Sequence, residues 1–582
     1  MALRNDADAG GPGRSAWIGP ALLLGAVFLA RVVYLAFFSP YDLTEDEAFY
    51  WEWSRHPDWS YTTKGPGIAW AIWLSVRTFG ESVFGVRMVA VTAGLVAGLA
   101  VLGLAHDVTR GAPWALARRA LWVTASLACL MPSLQVMGLL STIDGPYIAC
   151  WAVAAWAGFR ALALGSKGAW VVLGAALGVG VLFKYTILLL IPGVLLFAWR
   201  WRTRPRGEEG ASVRVGPGWK RWACAGAALA MLGLAPIMVW NARHDWATVR
   251  HLLGHLGMNV SRVTATGEAV DSGDVAVTGD TAQRGWTYTP RHTLELIGTQ
   301  TAAVGPAIGL MAWGWWSVWR AGRTARRSAA TPGNALHEDA MAASYLLHVA
   351  APILLFHLAI SCVSSVEGNW PVAGYLTLLP LAGALVAARA RRGAGTAGRP
   401  GVRPAFALWH ASIIVGVVSG AGMLRLDWVR DGLARVAPEA AERATFFRRV
   451  LGARELAAHV DELRRDLEAR TGRTPFILAE HYGRASQLAF ELPDRPIVFV
   501  AQSRLGGRAV QQDYWPQYSL DRPDLLGRDA VIVGDVSPAP VWERAFERVE
   551  PLGRLRGETR PGREGFIGYG YRGLPRPARM AH

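Results

Sequence analysis

Apolar runs long enough to cross a bilayer recur through most of this chain, and short arginine clusters fill alternate gaps between them. The runs are Ala16 to Ser39, Val83 to Ala105, Ala120 to Leu140, Tyr147 to Leu164, Trp222 to Trp240, Leu294 to Trp319, Met341 to Val363, Pro371 to Ala388 and Ala405 to Leu424. About 20 predominantly apolar residues span the hydrocarbon core, and a segment in lipid must satisfy its own backbone hydrogen bonds. The runs are therefore helices, and the fold class is a polytopic α-helical membrane protein. Composition agrees: 52% of the 582 residues are hydrophobic and 18% are charged, against about 25% charged in a soluble domain.

The arginines set the orientation, because basic residues collect on the cytoplasmic side of membrane helices. Arg4 and Arg14 precede the first run, and Arg110, Arg118 and Arg119 follow the second. Arg200 to Arg221, Arg320 to Arg327 and Arg389 to Arg403 are strongly basic. Ala169 to Ile191 and Pro192 to Trp199 form a short pair, read as tilted or re-entrant. With that pair the count is about eleven spans, every basic block falls on one side, and the parity places the region after Asp427 outside. The first run shows no small-residue cleavage site and is expected to be a retained anchor. The net charge of +16 does not indicate nucleic acid, since the basic residues lie in the connections between apolar runs. Cys129, Cys150, Cys224 and Cys362 all lie inside apolar segments, so structural disulfides are not expected. No C-x-x-C metal spacing occurs.

One outer loop differs from the rest. Tyr41 to Arg87 carries Thr44-Glu45-Asp46-Glu47 at the mouth of a helix, then Phe49-Tyr50-Trp51-Glu52-Trp53, then Trp59, Tyr61, Lys64, Gly65 and Pro66. Carboxylates, a lysine and aromatic rings at a membrane surface are the parts needed to hold a sugar beside a phosphate. Phe84-Gly85-Val86-Arg87 closes the stretch. Further motifs stand at helix ends in order along the chain: Ser141-Thr142-Ile143-Asp144-Gly145-Pro146, Phe183-Lys184-Tyr185, Val239 to Trp246, and Glu367-Gly368-Asn369-Trp370-Pro371.

In this order the motifs resemble the family 39-type glycosyltransferases. These are membrane-embedded C-type enzymes that include protein O-mannosyltransferases and the bacterial aminoarabinose transferases of lipid A. The resemblance implies a C-type glycosyltransferase fold in the cell membrane, with the active site on the extracytoplasmic face. It also implies transfer of a sugar from a polyprenyl-phosphate donor to a lipid, glycan or protein acceptor, with inversion at C1 by a single in-line displacement. A phosphate monoester has its second pKa at about 6, so it leaves without a strong general acid. One base and cationic stabilisation are then enough. The expected partners are the donor, an extracytoplasmic hydroxyl or phosphate acceptor and membrane lipid. No cofactor is assigned, and a divalent metal is left open but not indicated by the sequence.

Each candidate residue has a structural reading beside the functional one. Asp46 and Glu47 are the candidate catalytic carboxylates, with Asp46 taking the acceptor's proton. Thr44-x-x-Glu47 is also a capping box, and acids are favoured in a first helical turn. Lys64 and Lys184 are candidates for the donor phosphate, and the alternative is a lysine reaching to the headgroups. Relatives commonly carry an acidic residue or histidine and two prolines near Lys64; here the turn reads Thr63-Lys64-Gly65-Pro66. Asp144 is either a substrate ligand or an N-cap. Tyr61, Tyr185, Glu367 and Asn369 complete the substrate-binding set, and the role of Arg31, a cation inside the first span, is open. His244, Asp245, His251 and His255 suggest a metal only superficially, because His251 and His255 also fit an amphipathic interfacial helix. A transporter or flippase of lipid-linked sugars is the alternative function, and it would show two similar halves with broken helices.

The domains are expected at 1–425, a transmembrane glycosyltransferase domain with its catalytic loop at 40–82, and 426–582, a small extracytoplasmic α/β domain. In the latter, Leu456 to Leu467 has helical periodicity. Pro475 to Ala479, Pro496 to Val500 and Ala530 to Gly534 read as buried strands.

Overall fold

The computed structural model describes residues 14–202, 215, 217–250, 288–327, 334–393, 403–439, 449–535, 539–559 and 562–575. The chain divides into two compact units. One comprises Met1–Phe37, Thr63–Ile68 and Arg87–Leu424, the other Phe38–Thr62, Ala69–Val86 and Arg425–His582. Most of the outer loop at 40–82 thus groups with the C-terminal region.

The first unit is helical. Among the described residues, six helices are long and apolar enough to cross a membrane: Ser15–Phe37, Val83–Val108, Trp219–Arg243, Ala340–Ile360, Val372–Ala390 and Pro404–Leu424. Lys167–Phe183 and Tyr185–Trp201 are apolar but shorter. Two runs that read as single spans are interrupted. Ala120 to Leu140 breaks at Met131, which is extended (φ −60°, ψ 123°) before Pro132, so that helix Trp114–Leu130 gives way to the short helix Pro132–Met137. A residue before proline is pushed out of the helical region. Leu294 to Trp319 breaks at Gly305, whose φ of 66° suits glycine and separates helices Pro290–Val304 and Ala307–Arg327.

Helix Lys167–Phe183 meets helix Trp219–Arg243 backbone to backbone. A Cβ on Gly174 would stand 1.9 Å from the carbonyl oxygen of Gly226, and one on Gly178 2.5 Å from that of Leu229. Gly174 and Gly178 have the four-residue spacing by which small residues let membrane helices approach closely. Gly416 and Gly420 repeat the device in helix Arg403–Leu424: a Cβ on Gly416 would strike the Leu130 carbonyl at 2.3 Å. Gln135 crosses there, donating from Nε2 to the carbonyls of Leu130 (2.9 Å) and Gly416 (2.8 Å). The guanidinium of Arg31 lies over Gly138, where a Cβ would fall 2.0 Å from its Nη1, so it packs on a surface without a side chain.

The second unit holds a five-stranded sheet of order β2-β1-β3-β5-β4, with β1 Phe476–Ala479, β2 Val498–Val500, β3 Ala530–Asp535, β4 Phe546–Gly553 and β5 Arg563–Tyr571. The strands read from the sequence, β1 to β3, form its parallel part. β4 and β5 add an antiparallel hairpin beside β3. Helix Ala453–Thr471 contains the expected Leu456 to Leu467 segment. Phe476, Phe499, Phe546, Trp542 and Tyr571 build the core. Helix Glu45–Arg55 from the outer loop packs on helix Tyr482–Glu491. Phe49 meets Tyr482 (ring centres 4.4 Å apart) and Trp51 meets Phe490 (4.9 Å). A Cβ on Gly483 would fall 2.5 Å from that of Glu45.

Candidate functional site

In the helical unit the centre is Lys184. Helix Lys167–Phe183 ends there with an extended backbone (φ −151°, ψ 126°), a 3-10 turn runs over Tyr185–Leu189, and helix Leu190–Arg202 resumes. Non-helical backbone at membrane depth is tolerated where protein or a water-filled cavity surrounds it. The ammonium donates to Oδ1 of Asp144 at 2.7 Å, and the other carboxylate oxygen accepts from Nδ2 of Asn369 at 2.7 Å. The rings of Tyr147 and Trp370 flank the same ammonium, their centres 5.6 and 5.7 Å away, within cation–π range. Both members of the ion pair are largely buried, their side chains 13% and 7% exposed.

Asp144 opens helix Asp144–Leu162, but Ile143 occupies the N-cap position and no side-chain cap bond forms. The N-cap reading of Asp144 is therefore not what the structure shows: its carboxylate bridges the lysine and the asparagine. The turn that carries Asn369 is fixed from two directions. Trp370 N–H donates to the Glu367 carbonyl (3.1 Å), and Gln300 Nε2 donates to that of Gly368 (3.0 Å). Glu367, Asn369 and Tyr185 are half-buried.

The Lys64 turn belongs to this unit as well. A Cβ on Gly65 would stand 2.4 Å from the Leu182 carbonyl oxygen, and one on Gly67 3.0 Å from it. The two glycines let the turn lie against the last residues before Lys184, so Lys64, itself half-buried, is anchored next to the helix break. The motif at Val239 to Trp246 is a helix end. Asn241 takes Thr248 N–H on Oδ1 (3.1 Å) and donates to Ile237 (2.9 Å), while His244 stacks on Trp240 at 4.0 Å. Asp245 and Trp246 follow with φ of 50° and 56°. His251 and His255 lie outside the described residues. Among the described residues no group of three His, Cys, Asp or Glu is placed to hold a metal ion.

Asp46, Glu47 and Tyr61 lie in the second unit. Asp46 is exposed in the first turn of helix Glu45–Arg55. Glu47 is fully buried and completes the capping box: Thr44 Oγ1 accepts from Glu47 N–H at 3.2 Å, and the Glu47 carboxylate accepts from Thr44 N–H at 3.0 Å. Tyr61 is fully buried, stacked on Trp53 (4.3 Å, 15° between planes), and its hydroxyl donates to the carbonyls of Trp53 and His56 at 3.1 Å. Those contacts make Tyr61 a packing element of the loop. Tyr147 was not singled out in the sequence. Its signal was the three-residue spacing from Asp144, which sets both on one helix face.

The sequence from 63 to 240 matches the family described as dolichyl-phosphate-mannose-protein mannosyltransferase. Over 367 residues, 62% of this chain, it is 25% identical to the lipid A galacturonosyltransferase RgtD of Rhizobium johnstonii, of which the match spans 63%. ArnT from Cupriavidus metallidurans superposes with a TM-score of 0.53 in its apo state and 0.56 when bound to undecaprenyl phosphate. Both superpositions cover 94% of this chain and 98% of ArnT, at 15% and 16% identity. The chain thus shares the fold of ArnT. The family match takes in Lys64, Asp144 and Lys184, and the match to RgtD spans 62% of the chain. In this fold the Asp144–Lys184–Asn369 cluster sits at a helix break rather than inside a regular helix.

Proposed function

We propose that this protein is an inverting glycosyltransferase that passes a sugar from a polyprenyl-phosphate donor to an acceptor on the extracytoplasmic side of the cell membrane. The observation that carries the reading is the buried cation at the break of helix Lys167–Phe183, in a fold shared with a protein solved with undecaprenyl phosphate bound. Lys184 is poised for exchange. Its partner Asp144 is already held by Asn369, so the ammonium can turn to a phosphate while the carboxylate keeps a hydrogen bond. Lys64 is the second cation of this reading. A lysine meets a phosphate as a compact point charge with three donors.

The proton of the acceptor is assigned to Asp46, which is exposed. A helix N-terminus stabilises its carboxylate, so Asp46 orients and polarises the hydroxyl as much as it deprotonates it. In this reading Glu47 and Tyr61 shape the loop. Lipid A, the acceptor in the name of the curated relative, is the first acceptor to try, with other envelope lipids and glycans after it. The orientation follows the arginine-rich connections, with about eleven crossings counted on the apolar runs of the sequence. Likeness to a transferase over most of the chain favours transfer over transport.

Purified protein supplied with radiolabelled polyprenyl-phosphate sugars and lipid A tests the proposal. Asp46→Asn should lower transfer 10²–10⁴-fold, the usual value of a general base, while donor binding and folding persist. Glu47→Gln, which also completes a capping box, should keep most of its turnover. Full turnover in Asp46→Asn would remove the base from this position, and absence of transfer with every donor and acceptor would refute the transferase reading.

A further inference from the structure

His357 lies in helix Asn334–Ile360, three residues before its end, and is 1% exposed. Its Nδ1 is 2.9 Å from the carbonyl oxygen of Ile353. A carbonyl only accepts, so Nδ1 carries the proton, and Nε2 of the neutral ring is left with a lone pair facing away from its own helix turn. That Nε2 is buried and has no hydrogen-bond partner among the described residues. Buried polar atoms almost always have one, and an acceptor without one is destabilising.

The place of this lone pair gives it meaning. The imidazole lies against the Trp370 ring, with centres 5.8 Å apart. The Lys184 ammonium lies 5.7 Å from the centre of the same indole. Trp370 follows Asn369, the ligand of Asp144. His357 is thus one indole away from the candidate phosphate cation. Of the groups a ligand could bring there, a phosphodiester offers only acceptors, which cannot satisfy a lone pair. A sugar offers hydroxyl donors, and in a lipid-linked donor the sugar is covalently next to the phosphate.

We propose that His357 Nε2 accepts a hydrogen bond from a hydroxyl of the donor's sugar, with Trp370 as the apolar wall between that hydroxyl and the phosphate at Lys184. This rests on the function proposed above. His357 is then a specificity-determining residue for the sugar, and it contributes nothing to the lipid phosphate.

The test compares full-length protein in detergent binding undecaprenyl phosphate with binding the same lipid carrying galacturonic acid, mannose or glucose. Wild type should bind at least one sugar-bearing lipid more tightly than the bare phosphate. His357→Leu should lose about tenfold in affinity for that lipid, the scale of one hydrogen bond to a ligand, and leave the bare lipid unchanged. His357→Gln, which returns an acceptor near the Nε2 position, should recover most of the loss. A donor lacking the recognised hydroxyl should bind wild type and His357→Leu equally. Equal losses for the bare and sugar-bearing lipids would mean that His357 only supports the fold, and no loss for either would also overturn the inference. Failure of wild type to bind any of these lipids would instead overturn the function proposed above.

Discussion

Glu52→Gln probes the outer-loop helix through a buried carboxyl. Glu52 is 1% exposed. One carboxyl oxygen accepts from the Tyr518 hydroxyl and lies 3.3 Å from Arg55 Nη1, while the other is buried without a hydrogen-bond partner among the described residues. His56 Nε2 stands 3.1 Å from the same tyrosine hydroxyl. Burial raises the Glu52 pKa from 4.5 to about 7, outweighing Arg55 and Tyr518, which both favour the charged form. The folded protein therefore holds this proton more tightly than the unfolded chain. The stability linked to it is fully present below pH 4.5 and is lost as pH rises through about 7. At about 1.4 kcal/mol per tenfold change in affinity, the loss is about 3 kcal/mol. Glutamine keeps the size and an acceptor for Tyr518 but does not titrate. Thermal unfolding of the detergent-solubilised protein, followed by tryptophan fluorescence from pH 4.5 to 8.5, should show Glu52→Gln gaining on wild type by several degrees towards alkaline pH. Parallel pH profiles would refute the argument, since they would mean that Glu52 is already ionised or is solvated at neutral pH.

Lys184→Met leaves the Asp144 carboxylate without its cation. Removing one partner of a buried pair costs about 3–5 kcal/mol, so this variant should unfold earlier than wild type, and Lys184→Met with Asp144→Asn should recover part of the loss in the same thermal assay. Gly174→Ala places a methyl 1.9 Å from the Gly226 carbonyl oxygen. It should lower the yield of monodisperse protein in size-exclusion chromatography, whereas Gly168→Ala, where a Cβ meets nothing within 4 Å, should not.

The parts of the fold that were legible are those whose signal is local. The positions of the apolar runs follow from composition, and β1 to β3 follow from short buried runs such as Phe476-Ile477-Leu478-Ala479, where all four residues are buried. The hairpin β4–β5 escaped because neither strand is a continuous apolar run. In Phe546–Gly553 only Phe546 is buried, and β5 carries Gly565, Gly568 and Gly570. Gly568 is required by packing that no local pattern reveals: a Cβ there would fall 2.5 Å from the Phe546 ring. The interruptions at Met131 and Gly305 were visible as a proline and a glycine. Hydropathy alone carries no sense of a break, and the apolar residues on either side hid them.

The candidate site shows the same limit in a sharper form. Glu47 and Asp144 have one sequence signal in common, an acid at the start of a helix, and physical chemistry offers both a capping role. The structure separates them by what stands before each. Thr44 is three residues ahead of Glu47 and supplies the reciprocal hydroxyl, so the carboxylate is closed on its own helix start. Asp144 is preceded at the cap position by Ile143, which has no side-chain oxygen to exchange. Its carboxylate is left to reach across to Lys184, 40 residues on, and Asn369, 225 residues on. A local motif therefore identifies the acid that is tied up. The acid left over has partners set only by tertiary packing, and that is the one at the buried cation.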